Sequence, residues 1–325
     1  MISIIIPLYK VEMYIKNCLL SLEKQSYKEF EVIIVNDGTP DKSAKIVEEY
    51  IESSSINIKL VNQENQGVSA ARNNGIKYSS GEYLCFIDSD DMLDTEYLAT
   101  MYHEISEHDT GICICQNRQI KDDENRIFTF NGAYNSQELT KTQILEKLLY
   151  GEVSAGIWAL MCKRSVLGSN RFAENFKYSE DLEMVWRLAA SCNKTILIDA
   201  PLYCYRIRNG SAMTVMDDRR LDGLRLFENL SDFIKENAAE FYPQYEKYGV
   251  ARWIWSSVWQ EAVAADSYED FCKNITKYNP DKYFAKLSDY KNSKVRISAF
   301  LYLHFKKVYY FAVKQYKKGY RKIDR

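Results

Sequence analysis

Proline and glycine are scarce: five and thirteen residues in a chain of 325. That excludes collagen-like, linker-array or largely disordered content. Cysteine occurs eight times, but no two are spaced C-x-x-C and most lie inside apolar runs. A zinc site or disulfide framework is therefore not expected; buried free thiols in a reducing compartment are. The three histidines, His103, His108 and His304, have neither metal-ligand nor triad spacing, which leaves nucleophile–histidine catalysis unsupported. No G-x-G-x-x-G follows the first strand-like run and no G-x-x-x-x-G-K-[ST] occurs anywhere, so dinucleotide and P-loop readings fall away. No uncharged apolar stretch reaches the about 18 residues that a bilayer span requires. Met1-Ile2-Ser3 leads straight into a run ending at Pro7, without a signal-peptide pattern. A cytoplasmic protein is expected. The net charge of −2 offers nucleic acid no bulk attraction.

What is present alternates between two periods. Ile2–Ile6, Phe30–Val35, Ile56–Val61, Tyr83–Ile87 and Gly111–Cys115 are short apolar runs of strand length. Between them, Val11–Leu22, Ser43–Ile51, Val68–Tyr78 and Tyr97–Ile105 have helical spacing. Such alternation predicts an α/β fold: a mostly parallel central sheet with helices on both faces. Beyond residue 115 the pattern loosens. Gln116–Gly132 reads as an irregular hairpin, Ser136–Tyr150 as a helix, Trp158–Lys163 and Thr195–Ile198 as strands, and Ser179–Ser191 as a helix. After about residue 217 the chain reads as helices only, clearest at Arg219–Glu236, Tyr245–Ala264 and Val295–Tyr316. The expected organisation is an α/β domain over 1–214 and an all-helical C-terminal region over 215–325.

Charge is unevenly spread. Residues 291–325 carry eleven Lys/Arg and one acid, Asp324, hence +10, so the preceding 290 residues carry −12. The same segment holds an apolar stripe: Ile297, Phe300, Leu301, Phe305, Val308, Phe311 and Ala312. This predicts a basic amphipathic tail lying on an anionic membrane; packing on the domain with a solvated basic face is the plainer alternative. Trp253, Trp255 and Trp259 form an aromatic cluster on a late helix, read as core or as a surface for a ligand or the bilayer.

Ligands of such sheets gather outside the carboxyl ends of the strands. There the chain places acids. Asp88-Ser89-Asp90-Asp91 follows Tyr83–Ile87 directly. Three acids in four residues repel unless a cation or donors intervene, and a hard divalent ion shared with a substrate diphosphate resolves the repulsion. Capping of the next helix by Asp91 or Asp94 would account for one acid, not three. Asp37, in Val35-Asn36-Asp37-Gly38-Thr39, suits a base or ribose contact or an Asx-turn. Asn65–Asn73 opens a helix at the same end, and Arg72 there could balance the acids at 88–91.

Four segments, Ser3–Tyr9, Val35–Thr39, Gly67–Asn73 and Phe86–Asp91, resemble family 2 glycosyltransferases of the bacterial capsular or exopolysaccharide type, over roughly residues 1–210. The resemblance implies the GT-A (nucleotide-diphospho-sugar transferase) fold and an inverting hexosyltransferase using a UDP-sugar donor. A glycan or lipid-linked saccharide would be the acceptor, at the inner face of the cell membrane. It assigns nucleotide contacts to Pro7, Leu8, Tyr9, Asp37, Asn65, Arg72, Asp88 and Ser89, with Tyr9 near the base. Asp88 and Asp90 match the family's D-x-D motif. Asp90 would bind Mn²⁺ or Mg²⁺, and Asp88 the ribose or a metal-bound water. Tyr178–Glu183 matches the family's downstream acid pair, with Asp181 as base and Glu180 as alternative. Tyr205, Arg206 and Ser211 correspond to a segment that closes over the donor diphosphate. A metal-dependent nucleotide hydrolase or nucleotidyltransferase, and an inactive glycan- or membrane-binding subunit, are the rival readings.

Overall fold

The computed structural model describes residues 1–153, 156–176, 178–208 and 220–323. The elements run β1 (Ile2–Leu8), α1 (Ile15–Glu23), β2 (Phe30–Asp37), α2 (Ser43–Ser53), β3 (Asn57–Gln63), α3 (Val68–Tyr78), β4 (Tyr83–Phe86), β5 (Met92–Leu93) and α4 (Tyr97–Glu107). They continue as β6 (Ile112–Lys121), β7 (Ser136–Thr140), α5 (Lys141–Tyr150), β8 (Leu160–Lys163), α6 (Arg164–Leu167), α7 (Glu180–Ser191) and β9 (Lys194–Ile207). The last six are α8 (Arg220–Asn237), α9 (Tyr242–Ala264), α10 (Tyr268–Ile275), α11 (Pro280–Phe284), α12 (Ser293–His304) and α13 (Lys306–Ile323). The chain divides into two compact units, Met1–Leu145 with Val153–Val215, and Glu146–Glu152 with Met216–Arg325.

The first unit is built on one sheet of order β3-β2-β1-β4-β8-β6-β9-β5, with β7 added to β9. β3, β2, β1 and β4 are parallel. β8 enters antiparallel between β4 and β6, and β9 runs parallel to β6. In β1 every isoleucine is fully buried, because helices cover both faces. Ile2, Ile4, Ile6 and Leu8 point into the larger core with Val32, Ile34 and residues of α1, α2 and α4. Ile33 and Val35 point the other way, against Ala71 of α3. This alternation converts a continuous apolar run into two cores. On the second face α3 lies close to the sheet. A methyl on Gly75 would fall inside the van der Waals shell of Ile5 Cγ2 and 3.4 Å from Val35 Cγ2.

Four expectations change after residue 115. Residues 116–121 continue β6 rather than forming a hairpin, and Ser136–Thr140 is a strand, pairing with Lys194–Ile198. β9 does not stop at Ile198. It runs through Pro201, where the ladder with β6 shifts register, and an irregularity of that kind tolerates a residue without an N–H. The helix expected over Val295–Tyr316 is broken at Phe305 (φ −142°, ψ 55°) into α12 and α13.

In the second unit Trp253 is buried against Phe227 and Tyr278. Trp255 and Trp259 are half-buried, their rings 5.6 Å apart, and Trp255 donates to Ser298 Oγ at 2.5 Å. The three tryptophans thus divide between core and rim. Among the described residues no helix is long and apolar enough to cross a membrane.

Candidate active site

The acids at the end of β4 take three different environments. Ile87 continues the strand by donating to Ile5 O at 3.0 Å, which delivers Asp88–Asp91 to the carboxyl edge of the sheet. Asp91 is almost fully buried. It accepts from Tyr203 Oη at 2.6 Å and the Arg206 amide at 2.7 Å, fastening this loop to β9. Asp90 has its carboxylate on Arg208 Nε at 2.7 Å. Burial, then the charge of Asp88, raises the Asp90 carboxyl above its ordinary range, and Arg208 opposes this. Asp88 accepts from Arg72 at 2.8 Å.

Arg72 connects two parts of the site. It lies in α3, 4% exposed, with its guanidinium 5.2 Å from the Phe172 ring. One terminal nitrogen meets Asp88 and the other meets Glu180 Oε1 at 3.3 Å. α3 can deliver it here because Gly67 (φ 92°) turns the chain into the helix, a conformation that disfavours a side chain. The expected balancing of the strand-end acids is seen, and the link to Glu180 is an addition that no spacing announces.

Ser179 (φ 68°) turns the chain into α7, whose first turn carries Glu180, Asp181 and Glu183. Glu183 is buried and paired with Arg187 one turn on. Glu180 is held by Arg72. Asp181 accepts from the Leu182 amide at 2.7 Å, and among the described residues it has no salt bridge. Burial and the neighbouring charge of Glu180 push its carboxyl from 3.8 up to about 7, against Arg72. The two adjacent acids are therefore unlike: one carries a permanent cation, the other is poised to take or give a proton near neutrality.

At the end of β2, Asn36 Oδ1 accepts from the Thr39 amide at 3.0 Å, so the Asx contact belongs to Asn36. Asp37 instead accepts from Gln63 Nε2, the Gln66 amide and the Gly67 amide at 2.8 to 2.9 Å. Asn65 donates to its carbonyl. Asp37 thus holds the loop that starts α3. Beyond β1, Tyr9 is 42% exposed, whereas the Leu8 side chain is fully buried and Ser89 nearly so. Of these, Tyr9 offers a ring face.

The closure segment is redistributed. Arg206 is 2% exposed, and its guanidinium donates to the carbonyls of Asp90, Lys121, Asp122 and Glu124. It ties β9 to the neighbouring backbone. Tyr205 packs beside Trp158, ring centroids 5.4 Å apart. Ser211 lies outside the described residues. Arg208 is the cation of this stretch that reaches a site carboxylate. Reading Tyr205-Arg206-Ile207-Arg208 as a sequence shows two arginines and no sign of which is buried.

Comparison with known proteins follows this geometry. The family model for glycosyl transferase family 2 matches residues 3–167. The EpsH protein of Bacillus subtilis (strain 168) is 31% identical over 241 residues, 73% of this chain and 70% of that protein. The glycosyltransferase GlyA of Streptococcus pneumoniae serotype 4 is 32% identical over 232 residues, which cover 69% of this chain but 33% of GlyA. The crystal structure of residues 1–349 of Staphylococcus aureus TarS in complex with UDP-GlcNAc superimposes with a TM-score of 0.69. It covers 98% of this chain and 92% of that one at 22% identity. That likeness concerns the fold, which is GT-A.

Proposed function

The chain belongs to glycosyl transferase family 2 and is a glycosyltransferase; from that premise we propose an inverting transfer from a nucleotide-sugar donor, a UDP-sugar, to a glycan or lipid-linked oligosaccharide in surface polysaccharide synthesis. The observation that carries the proposal is the unequal pair on α7, with Glu180 engaged by Arg72 and Asp181 left with a carboxyl that titrates near about 7. Asp181 accepts the proton of the acceptor hydroxyl as its oxygen attacks the anomeric carbon. The bond from that carbon to the diphosphate oxygen breaks on the opposite side, which inverts the centre. One base suffices, because no sugar–enzyme bond forms. Tyr9 offers its ring to the base, and Asp37 with Asn65 keeps the adjoining loop in place. UDP-GlcNAc in the TarS crystal supports starting the donor search with UDP-sugars.

The Asp88–Asp90 pair fits Mn²⁺ or Mg²⁺. Hard cations take carboxylate oxygens and share substrate phosphates; on Asp90 the ion would take the place that the Arg208 guanidinium holds in this structure. Asp90 would hold the ion, with Asp88 reaching it through water. When bound, the ion would offset negative charge growing on the departing diphosphate. Peripheral attachment at the inner face of the cell membrane belongs to the same proposal, supported by the +10 charge of residues 291–325.

The test is calorimetric titration with UDP, GDP and CDP, each with and without Mn²⁺. The expected result is UDP binding that needs the ion and disappears in Asp90→Ala, while Asp181→Asn binds UDP normally and transfers nothing. Transfer by Asp181→Asn would remove Asp181 from the base role. Preference for GDP or CDP would overturn the donor assignment.

A further inference from the structure

The two closing helices of the second unit each bury one side. Val295, Ala299 and Tyr302 do so in α12, and Tyr309, Tyr310 and Val313 in α13. Their outer side is apolar as well. Ile297, Phe300, Phe305, Val308 and Phe311 are each more than half exposed. Single exposed apolar residues are ordinary, but a contiguous row marks an interaction surface. The exposed apolar residues continue past the break between the helices, in two neighbouring groups along the sequence. The Phe300 ring lies 4.7 Å from His304 and 6.2 Å from Phe305, and Val308, Phe311 and Ala312 line one shallow depression with Lys307.

The occupant follows from charge. Arg296 borders Ile297 and Phe300, Lys307 borders Val308 and Phe311, and both are exposed; the whole segment 291–325 carries eleven cations against one acid. A second copy of this chain would bring the same excess and repel. An anionic bilayer takes both features, apolar side chains below the headgroups and cations at headgroup level. We infer that the outer face of α12–α13 is a lipid-docking surface for an anionic membrane, entered by Phe300, Phe305, Val308 and Phe311. The inference rests on the peripheral-membrane part of the proposed function and adds the surface and the mode: shallow apolar insertion, with charge selecting the lipid.

The test is co-sedimentation of the full chain with vesicles of phosphatidylcholine alone, and of phosphatidylcholine with roughly one-third phosphatidylglycerol. Removing the segment is unsuitable, because Tyr302, Tyr309 and Val313 belong to the core. Val308→Asp and Phe311→Asp alter exposed positions, so both variants should keep the wild-type melting temperature. The expected result is binding to the anionic vesicles that each substitution weakens by about tenfold or more. Wild-type protein that stays in solution with anionic vesicles overturns both the docking face and the peripheral reading. Binding that both variants retain overturns the face alone. A dimer that the substitutions dissolve, without vesicle binding, assigns the face to a second copy and overturns the inference.

Discussion

Replacing Asp181 with Asn separates chemistry from stability. Burial and Glu180 raise the Asp181 carboxyl from 3.8 to about 7, with Arg72 and the Leu182 amide pulling the other way. In the unfolded chain it titrates at about 3.9. Between about pH 4 and about pH 7 the folded protein therefore keeps a proton that the unfolded chain has lost. Stability falls with rising pH across that window and levels off above it. A displacement of this size corresponds to roughly 4 kcal/mol, at about 1.36 kcal/mol per pH unit. The side chain is partly exposed, so solvent screening leaves roughly half, about 2 kcal/mol. Asn carries no charge at any pH. The variant should match the wild type near about pH 4 and become progressively more stable, by about 4–8 °C in melting temperature, as pH rises to about 8. Differential scanning fluorimetry across a pH series reads this without any substrate. In the wild type, transfer should rise with pH through about 7, since the base acts deprotonated. A melting difference that is flat with pH would show an ordinary carboxylate and refute the assignment.

Other expected outcomes follow from single contacts. Tyr203→Phe leaves Asp91 Oδ2 without its buried partner and should lower unfolding free energy by about 1–3 kcal/mol in urea titration. Arg206→Ala and Arg208→Ala should part company: the first lowers the melting temperature by freeing the carbonyls it holds. The second strips the partner from the mostly buried Asp90, so it should lower melting less than the first and weaken UDP binding measured by calorimetry; equal melting effects of the two would contradict the division drawn between them. Arg72→Met strands Asp88 and Glu180 and should cost about 3–5 kcal/mol in chemical denaturation. Gly75→Ala forces a methyl against Ile5 and should cost about 1–3 kcal/mol, again by urea titration.

The first half of the fold was legible because its strands announce themselves. Ile2–Ile6, Phe30–Val35 and Tyr83–Ile87 are apolar on both faces, as only strands covered twice need to be, and the residues that follow them are the polar ones. Asp88, Asp90 and Asp181 stand out by position and family pattern, and the structure puts Asp88 and Glu180, the neighbour of Asp181, on one arginine. What stayed hidden depends on partners far along the chain. Ser136–Thr140 buries little beyond Leu139, so nothing local marks it as a strand; its pairing with Lys194–Ile198 does. Pro201 reads as a stop, yet a register shift lets β9 pass. No proline or glycine marks the break at Phe305. Asp91 resembles its neighbours in sequence and differs only because Tyr203 and Arg206 close over it. The Arg72–Glu180 contact spans 108 positions, beyond the reach of any local rule.

The absent methyl at Gly75 has a historical consequence. α3 rests on the sheet at a depth set by Gly75 over Ile5 and Val35, and Arg72 sits one turn earlier on the same helix. Lifting the helix to admit a larger residue would draw the guanidinium away from both of its carboxylates. Positions 5 and 75 are thus expected to change as a pair in descendants of this chain, a smaller residue at 5 preceding any side chain at 75. A lineage that took the steps in the reverse order would pass through a form that folds with Arg72 out of reach.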